Sequence, residues 1–494
     1  MTRAFDKDGR LEKVTDWNSN VTKFTYDPDS DLATTLFPTE SKDEDTYAYN
    51  DADQMSEVKM LKGAETLASL VYTRDNDGQV KGATSKGLPG EEKPAYEYDE
   101  NNRLTKGATI AYEYDAANNP TKIGAGAYKY NAADELETGP SLTYTYNEEG
   151  QRTKTKPTSG PATTYGYDQA GEMTSVERPK EGEISEIKDT YAYDGNGLRA
   201  SQTISGTTTY MVWNMTEGLP LLLSDGTNSY IYGPGGLPVE QISSGGTVTY
   251  LHHDQQGSTR LLTGSTGTVT GKCTYGAYGT PTCEGTTTTP LGYDAQYTSS
   301  DTGLVYLRAR VYDPATAQFL TVDPLVAATH EPYVYVGDDP LTYKDRSGLG
   351  LEEIFEGGSG IPCPWCAAAG GAAEALEGAY HAVQHGAEWV NNQLGTEELG
   401  EPVEQGAGAA ERGCELLEKD ASGRVHTPPG VSVPRYPNPD WTDEELEQVA
   451  EDLRDSIETR KEAASDLGES PSHRARINEE EQLLRSIEKK LSGS

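Results

Sequence analysis

Tyr96-Glu97-Tyr98-Asp99, Tyr112-Glu113-Tyr114-Asp115, Tyr128-Lys129-Tyr130-Asn131 and Tyr144-Thr145-Tyr146-Asn147 follow one another at a constant spacing of 16 residues. The same pattern, an aromatic residue, any residue, Tyr, then Asp or Asn, stands at Phe24/Tyr26/Asp27, Tyr47/Tyr49/Asn50, Tyr165/Tyr167/Asp168 and Tyr191/Tyr193/Asp194. Aromatic side chains at i and i+2 share one face of an extended strand. Asp or Asn then opens a turn, because its short side chain bonds the backbone just ahead of it. Gly follows three residues later at Gly150 and Gly171, and a Leu or Met such as Leu104, Leu136 or Met173 leads back into a strand. One unit is therefore a β-hairpin. A lone hairpin is barely stable in water, so the units are expected to pair side by side into a long curled sheet.

Composition agrees. The chain holds 31 Tyr against 5 Phe and 5 Trp, with 53 Gly, and only 34% of its 494 residues are hydrophobic. Low hydrophobicity and high charge also suit a disordered chain, but the ordered spacing of the tyrosines argues against disorder. The net charge of −39 repels nucleic acid and anionic membrane at long range, which excludes nucleic-acid binding for the β-region as a whole. No stretch is long and apolar enough to span a membrane. Met1–Arg10 reads as the middle of a repeat and not as a signal peptide.

The repeat loosens after about residue 200, although Thr207-Thr208-Thr209-Tyr210 and Tyr230-Ile231-Tyr232 still alternate and Gly233-Pro234-Gly235-Gly236 is a turn. Strand patterning stops at Gly348-Leu349-Gly350. Residues 350–420 are rich in Ala, Gly and Glu and partly helical in pattern, and 421–440 form a proline-rich linker. Residues 441–494 read as a helical hairpin. Thr442 and Glu445 make a capping box, Leu446, Val449, Leu453 and Ile457 form an apolar stripe, and Ser470-Pro471 opens a second helix. The predicted fold is mainly β, with a small, mostly α-helical C-terminal region.

Gly303-Leu304-Val305-Tyr306-Leu307-Arg308-Ala309-Arg310-Val311-Tyr312-Asp313-Pro314 is a highly specific block. It continues in Phe319-Leu320-Thr321-Val322-Asp323-Pro324, Asp339-Pro340-Leu341-Thr342-Tyr343 and Asp345-Arg346-Ser347-Gly348-Leu349, and His253-Asp254 to Arg260-Leu261-Leu262 precedes it. These residues resemble the repeat-associated core domain of the Rhs (YD-repeat) family, whose repeats also occur in insecticidal toxin-complex C subunits and in teneurins. The resemblance covers residues 1–349, as repeats over 1–200 and the core over 201–349. It implies a hollow shell of spiralling hairpins plugged by the core, with the variable segment that follows held inside as a passenger, often a toxin. In self-processing members the core is an aspartyl autoprotease. The matching positions here are Arg310, Asp323 and Asp345, with cleavage after Leu349. Two neighbouring carboxyls that share a proton can serve as acid and base, and an arginine can orient them or stabilise an oxyanion. Where the family has proline, this chain has Arg346, whose charge could pair with a catalytic carboxylate.

Other candidates carry less. Cys363-Pro364-Trp365-Cys366 lacks a second ligand pair at zinc spacing and reads as a structural pair. Cys273 and Cys283 flank a Gly/Tyr/Pro turn and could bond across a hairpin, and Cys414 stands alone. His381 and His385 stand at i and i+4 without the glutamate of a zinc-protease motif, and read as a solvated helix face. His252 and His253 read as structural. In the tail, His473 with Arg474, Arg476 and Glu480 offers a ribonuclease-like arrangement beside the plainer reading of an exposed charged helix face. No metal or cofactor is expected.

Three functions fit. The first is a polymorphic-toxin shell delivering its own C-terminal passenger, exported through a longer parent or a secretion apparatus and matched by an immunity protein. The second is a non-enzymatic surface or wall-associated adhesion protein. The third places a nuclease toxin in the tail.

Overall fold

The computed structural model describes residues 1–350 apart from 91–92, 180–185 and 217, together with 352–353, 418–419, 425–426, 454, 484–485 and 487. The chain divides into two units, Met1–Gln393 and Leu394–Ser494, and everything below concerns the first. The helical pattern read over 350–420, the linker 421–440 and the helical hairpin 441–494 lie almost wholly outside the described residues.

The tyrosine repeats form antiparallel strands, and in every sheet each strand neighbours the next in sequence order. Residues 2–86 make eight strands, 96–127 five, 129–210 nine and 212–285 eight. The last of these covers the stretch where the motif loosens. The sheets run on from one another. Ala83 N–H donates to Pro94 O at 3.1 Å, and Met211 N–H donates to Ala200 O at 2.8 Å across the step from Thr207–Tyr210 to Val212–Asn214.

The turn chemistry is local and repeats. Asp115 Oδ1 accepts the N–H groups of Ala117 and Asn119, both at 2.9 Å, and Asp99 Oδ1 does the same for Asn101 and Arg103 at 2.9 and 3.0 Å. The residue three beyond the Asp or Asn takes a left-handed backbone, as at Asn118 (φ 64°) and Gly150 (φ 72°). Asn tolerates this conformation and Gly adopts it freely, which explains the residue types found there. The register slips at the tyrosine before the turn, between Glu113 and Tyr114 and between Thr145 and Tyr146, so each turn carries a bulge that adds twist.

In seven of the eight motifs the second tyrosine lies against the preceding hairpin and donates its hydroxyl to a backbone carbonyl there, while the Tyr146 hydroxyl accepts from Arg152 Nε at 3.2 Å. Tyr26 reaches Leu11 O at 2.9 Å, Tyr114 reaches Leu104 O at 2.7 Å, Tyr130 reaches Pro120 O at 2.9 Å, and Tyr193 reaches Met173 O at 2.8 Å. A ring can thus be buried without stranding its polar end.

Residues 290–345 pack against several of these sheets at once. Tyr312, Phe319 and Tyr335 join Val80, Leu104 and Tyr112 in one buried cluster, and Leu304, Tyr306, Val311 and Leu320 join Met173, Val176 and Tyr191 in another. Leu11, Val14, Phe24 and Phe37 of the first sheet meet Ile231, Val239, Ile242 and Tyr250 of the fourth. Polar ties reinforce the packing. The Tyr333 hydroxyl donates to Gly150 O at 2.7 Å, and buried Arg152 pairs with Asp313 at 2.8 Å. Cys273 and Cys283, cross-strand partners in Val269–Tyr275 and Pro281–Gly285, are joined by a disulfide, as their placement around the turn suggested.

Candidate active site

Three short strands, Val305–Leu307, Arg310–Asp313 and Gln318–Phe319, pair in sequence and fix the centre of this segment. Arg310 opens the second, Asp323 lies just beyond the third, and Asp345 follows the strand Tyr343–Lys344. All three side chains are buried and meet. Arg310 Nη1 lies 3.2 Å from Asp323 Oδ2, and Nη2 lies 3.4 Å from Asp345 Oδ2. The guanidinium covers the Phe319 ring, 3.6 Å from its centroid, and Nε donates to the carbonyl oxygen of Gly348. Nη1 meets Asp323 as an ion pair and reaches no other acceptor among the described residues. It therefore has a hydrogen free for a third acceptor.

Each carboxylate is further held by backbone. Asp323 Oδ1 accepts Leu325 N–H at 2.7 Å, and Asp345 Oδ1 accepts Gly348 N–H at 2.7 Å and the Ser347 hydroxyl at 3.1 Å. The Gly350 N–H also acts on the Asp345 carboxylate as a donor. Burial pushes Asp345 up to about 6, against the opposing pull of Arg310 and the backbone donors. Burial likewise raises Asp323, again against Arg310. Burial also lowers Arg310 from its ordinary value, although both carboxylates favour its charge. Burial thus favours the protonated form of each carboxyl, and Arg310 favours the ionised one.

Gly348 fits only as glycine. Its φ is +77°, and a Cβ there would lie 2.5 Å from Leu307 O and 2.7 Å from Arg310 N. Arg346 extends elsewhere, its Nη1 donating to Gly235 O at 3.1 Å, and the cation acting on both carboxylates is Arg310. A small cavity opens beside Arg310, lined by Glu172, Tyr193, Tyr306 and Thr321.

His252 and His253 lie elsewhere. His252 is fully buried between Asp45 Oδ1 (2.7 Å) and the Thr263 hydroxyl (2.9 Å), and His253 Nε2 lies 2.7 Å from Pro238 O. Among the described residues no helix is long and apolar enough to cross a membrane, and no group of three His, Cys, Asp or Glu could hold a metal ion. Cys363, Cys366, Cys414, His381, His385 and His473 lie outside the described residues. Sequence reasoning passed over Arg308, two residues before Arg310 in the same block, and the Phe319 ring beneath the guanidinium.

Sequential tyrosine hairpins packed around a buried Arg-Asp-Asp centre define a YD-repeat protein with an Rhs-type core. The chain belongs to the Teneurin YD-shell family, whose model matches residues 65–335. It is 28% identical over 182 residues to the tRNA3(Ser)-specific nuclease WapA of Bacillus spizizenii, an alignment covering 34% of this chain and 8% of that protein. It is 26% identical over 201 residues to the double-stranded DNA deaminase toxin A of Burkholderia cenocepacia, covering 33% and 14%. The chain thus spans a small fraction of these relatives. Among solved structures, TcdB2-TccC3 (TM-score 0.52, 16% identity, 70% of this chain and 22% of that one) has the same fold. So does the Photorhabdus luminescens Tc holotoxin pore with mutated TccC3 (TM-score 0.53, 15% identity, 73% and 22%).

Proposed function

We propose that this protein is an Rhs-type toxin carrier whose hairpins spiral into a shell around the segment after Leu349, and that its core cuts the Leu349–Gly350 bond once, in cis. The segment freed is the passenger. The kinship with proteins named as toxins and nucleases supports a toxin as that passenger, delivered outside the producing cell by a secretion apparatus and neutralised at home by an immunity protein.

The single observation that carries the cleavage reading is the meeting of Arg310, Asp323 and Asp345 on the backbone that leads into that bond. The Gly350 N–H, which acts on the Asp345 carboxyl, belongs to the leaving amine, and this supports Asp345 as the acid. Asp323 takes the proton of a water that enters from the cavity beside Arg310. The water oxygen bonds the Leu349 carbonyl carbon, and the spare Nη1 hydrogen of Arg310 meets the oxyanion that forms. The C–N bond then breaks, and the proton from Asp345 goes to the Gly350 amine. The products are a carboxylate at Leu349 and a free amine at Gly350, with no cofactor required.

Intact-mass measurement of the purified full chain tests this. The expected products are residues 1–349 and 350–494, and Asp345→Asn or Asp323→Asn leaves the chain whole with an unchanged circular dichroism spectrum. A wild-type chain that stays at full length, or an Asn variant cut at the wild-type rate, refutes the reading.

A further inference from the structure

Three consecutive residues grip three consecutive carbonyls ahead of the bond. The Arg308 guanidinium donates to Arg346 O, the Ala309 N–H to Ser347 O at 3.1 Å, and Arg310 Nε to Gly348 O. The side chain of Arg308 is anchored at its far end. Its Nε and Nη2 hold Pro220 O at 2.9 and 2.6 Å, Nη1 also holds Gln296 Oε1 at 2.7 Å, and the guanidinium lies 5.7 Å from the Trp213 ring centroid. Arg308 adopts a left-handed backbone, φ 65°, which is unfavourable for a side chain of this size. That turn is what brings residues 308, 309 and 310 into a row facing 346, 347 and 348.

We infer that the turn Arg308-Ala309-Arg310 is the peptide-binding subsite of the core, and that Arg308 is a positioning residue that fixes the register of the cleaved segment. The inference rests on the hydrolytic role of Asp345 and Asp323. The substrate it defines is a bent segment read through its backbone carbonyls, with glycine required at position 348. Arg308 holds the Arg346 carbonyl, three residues before Leu349. It ties the segment to two distant parts of the fold, the 220 loop and Gln296, so that the Leu349 carbonyl cannot slide relative to Asp323 and Asp345. Loss of such registration typically slows a reaction about 10- to 100-fold without changing its chemistry.

The test is the rate of self-cleavage in the full chain across pH, started by diluting chain unfolded in denaturant into buffer, for wild type, Arg308→Gln, Arg308→Lys and Asp345→Asn. Arg308→Gln is expected to lower the maximal rate about 10- to 100-fold. The pH at which the rate falls should stay put, since the surroundings of Asp345 are unchanged. Arg308→Lys, with one point donor in place of a fork reaching three acceptors, should be intermediate. Arg308→Gln cleaving at the wild-type rate overturns the inference and leaves the hydrolytic role standing. Asp345→Asn cleaving at the wild-type rate removes the hydrolytic role, and this inference with it. Where Arg308→Gln does not fold, Arg308→Lys decides: an intermediate rate supports the assignment and a wild-type rate overturns it. Loss of fold in both overturns it too, because Arg308 would then hold the fold and not the cleavage segment.

Discussion

The hairpin turns of the wall and the loop around Asp345 are built from the same residue types, yet they treat charge in opposite ways. At Asp99 burial would raise the carboxyl, but the Arg103 side chain and the backbone N–H groups of Arg103 and Asn101 outweigh it, and the net shift is downward. At Asp345 an arginine and backbone donors are again present, but burial wins and the carboxyl ends near 6. The wall turn at Asp99 satisfies its carboxylate within four residues of chain and beside solvent. The core gathers its charges from positions up to 35 residues apart and removes them from water. A charge solved locally is a structural part, whereas one held against its solvation preference is available for chemistry.

Making the same substitution in both regions should give the largest contrast. With Asp345 already replaced by Asn, Arg310→Met leaves the buried Asp323 carboxyl without its cation, and breaking a buried pair in this way costs about 3–5 kcal/mol. Arg103→Met removes a partly exposed pair with Asp99, its side chains 15% and 24% accessible, and should cost about 1 kcal/mol or less. Urea unfolding of the two variants, each in the Asp345→Asn background so that the chain stays whole, reads the difference. Equal losses would erase the distinction between wall and core.

Acid and alkali should separate the regions next. Asp99 has a depressed folded value, so the stability it contributes is present above its ordinary 3.8 and is lost as pH falls through the folded value. Glu240 has the opposite sign. Burial first, then Asp16, pushes it from 4.5 to about 8, and burial holds Asp294 near 7. Raised carboxyls contribute fully below their unfolded values and progressively less as pH rises to the folded ones. Thermal unfolding should therefore show stability falling from about pH 4.5 to pH 8, with a separate loss below pH 4. Glu240→Gln should flatten the upper limb and raise the melting temperature at pH 8. An unchanged upper limb would show that the Asp16–Glu240 pair carries no such linkage.

This division also explains what could be read from sequence. Each wall turn is specified within five residues by an Asp or Asn, the residue three beyond it and a tyrosine before it, so the hairpins and their order were legible from pattern alone. The pairing of Cys273 with Cys283 was legible for the same reason. Nothing local indicates that Arg310, Asp323 and Asp345 meet, since their spacings of 13 and 22 residues match no regular element, and only the resemblance to a known core brought them forward. Arg308 stayed hidden although it stands two residues from Arg310. Its partners Pro220, Gln296 and Arg346 are 88, 12 and 38 residues away in the chain, and no periodicity encodes that. A charged residue immediately before Ala309 in the turn of a buried hairpin was the one available signal.

The smallest effect tests the tyrosines themselves. Tyr130 in the wall donates to Pro120 O at 2.9 Å, and Tyr335 in the core donates to Asp294 Oδ2 at 2.7 Å. Replacing Tyr130 with Phe removes a single bond to a neutral carbonyl and should cost about 1 kcal/mol. Tyr335→Phe strips the last side-chain donor from a fully buried carboxyl whose other oxygen already lacks a partner, and should cost about twice as much, in the range for bonds to charged groups. The excess should depend on pH. Below about 6 Asp294 carries its proton and the two variants should converge, whereas above 8 it is ionised and they should diverge. Two melting curves that differ by the same amount at pH 5 and pH 8.5 would mean that the core tyrosine supports Asp294 only as packing, and that hydroxyls in wall and core do the same work.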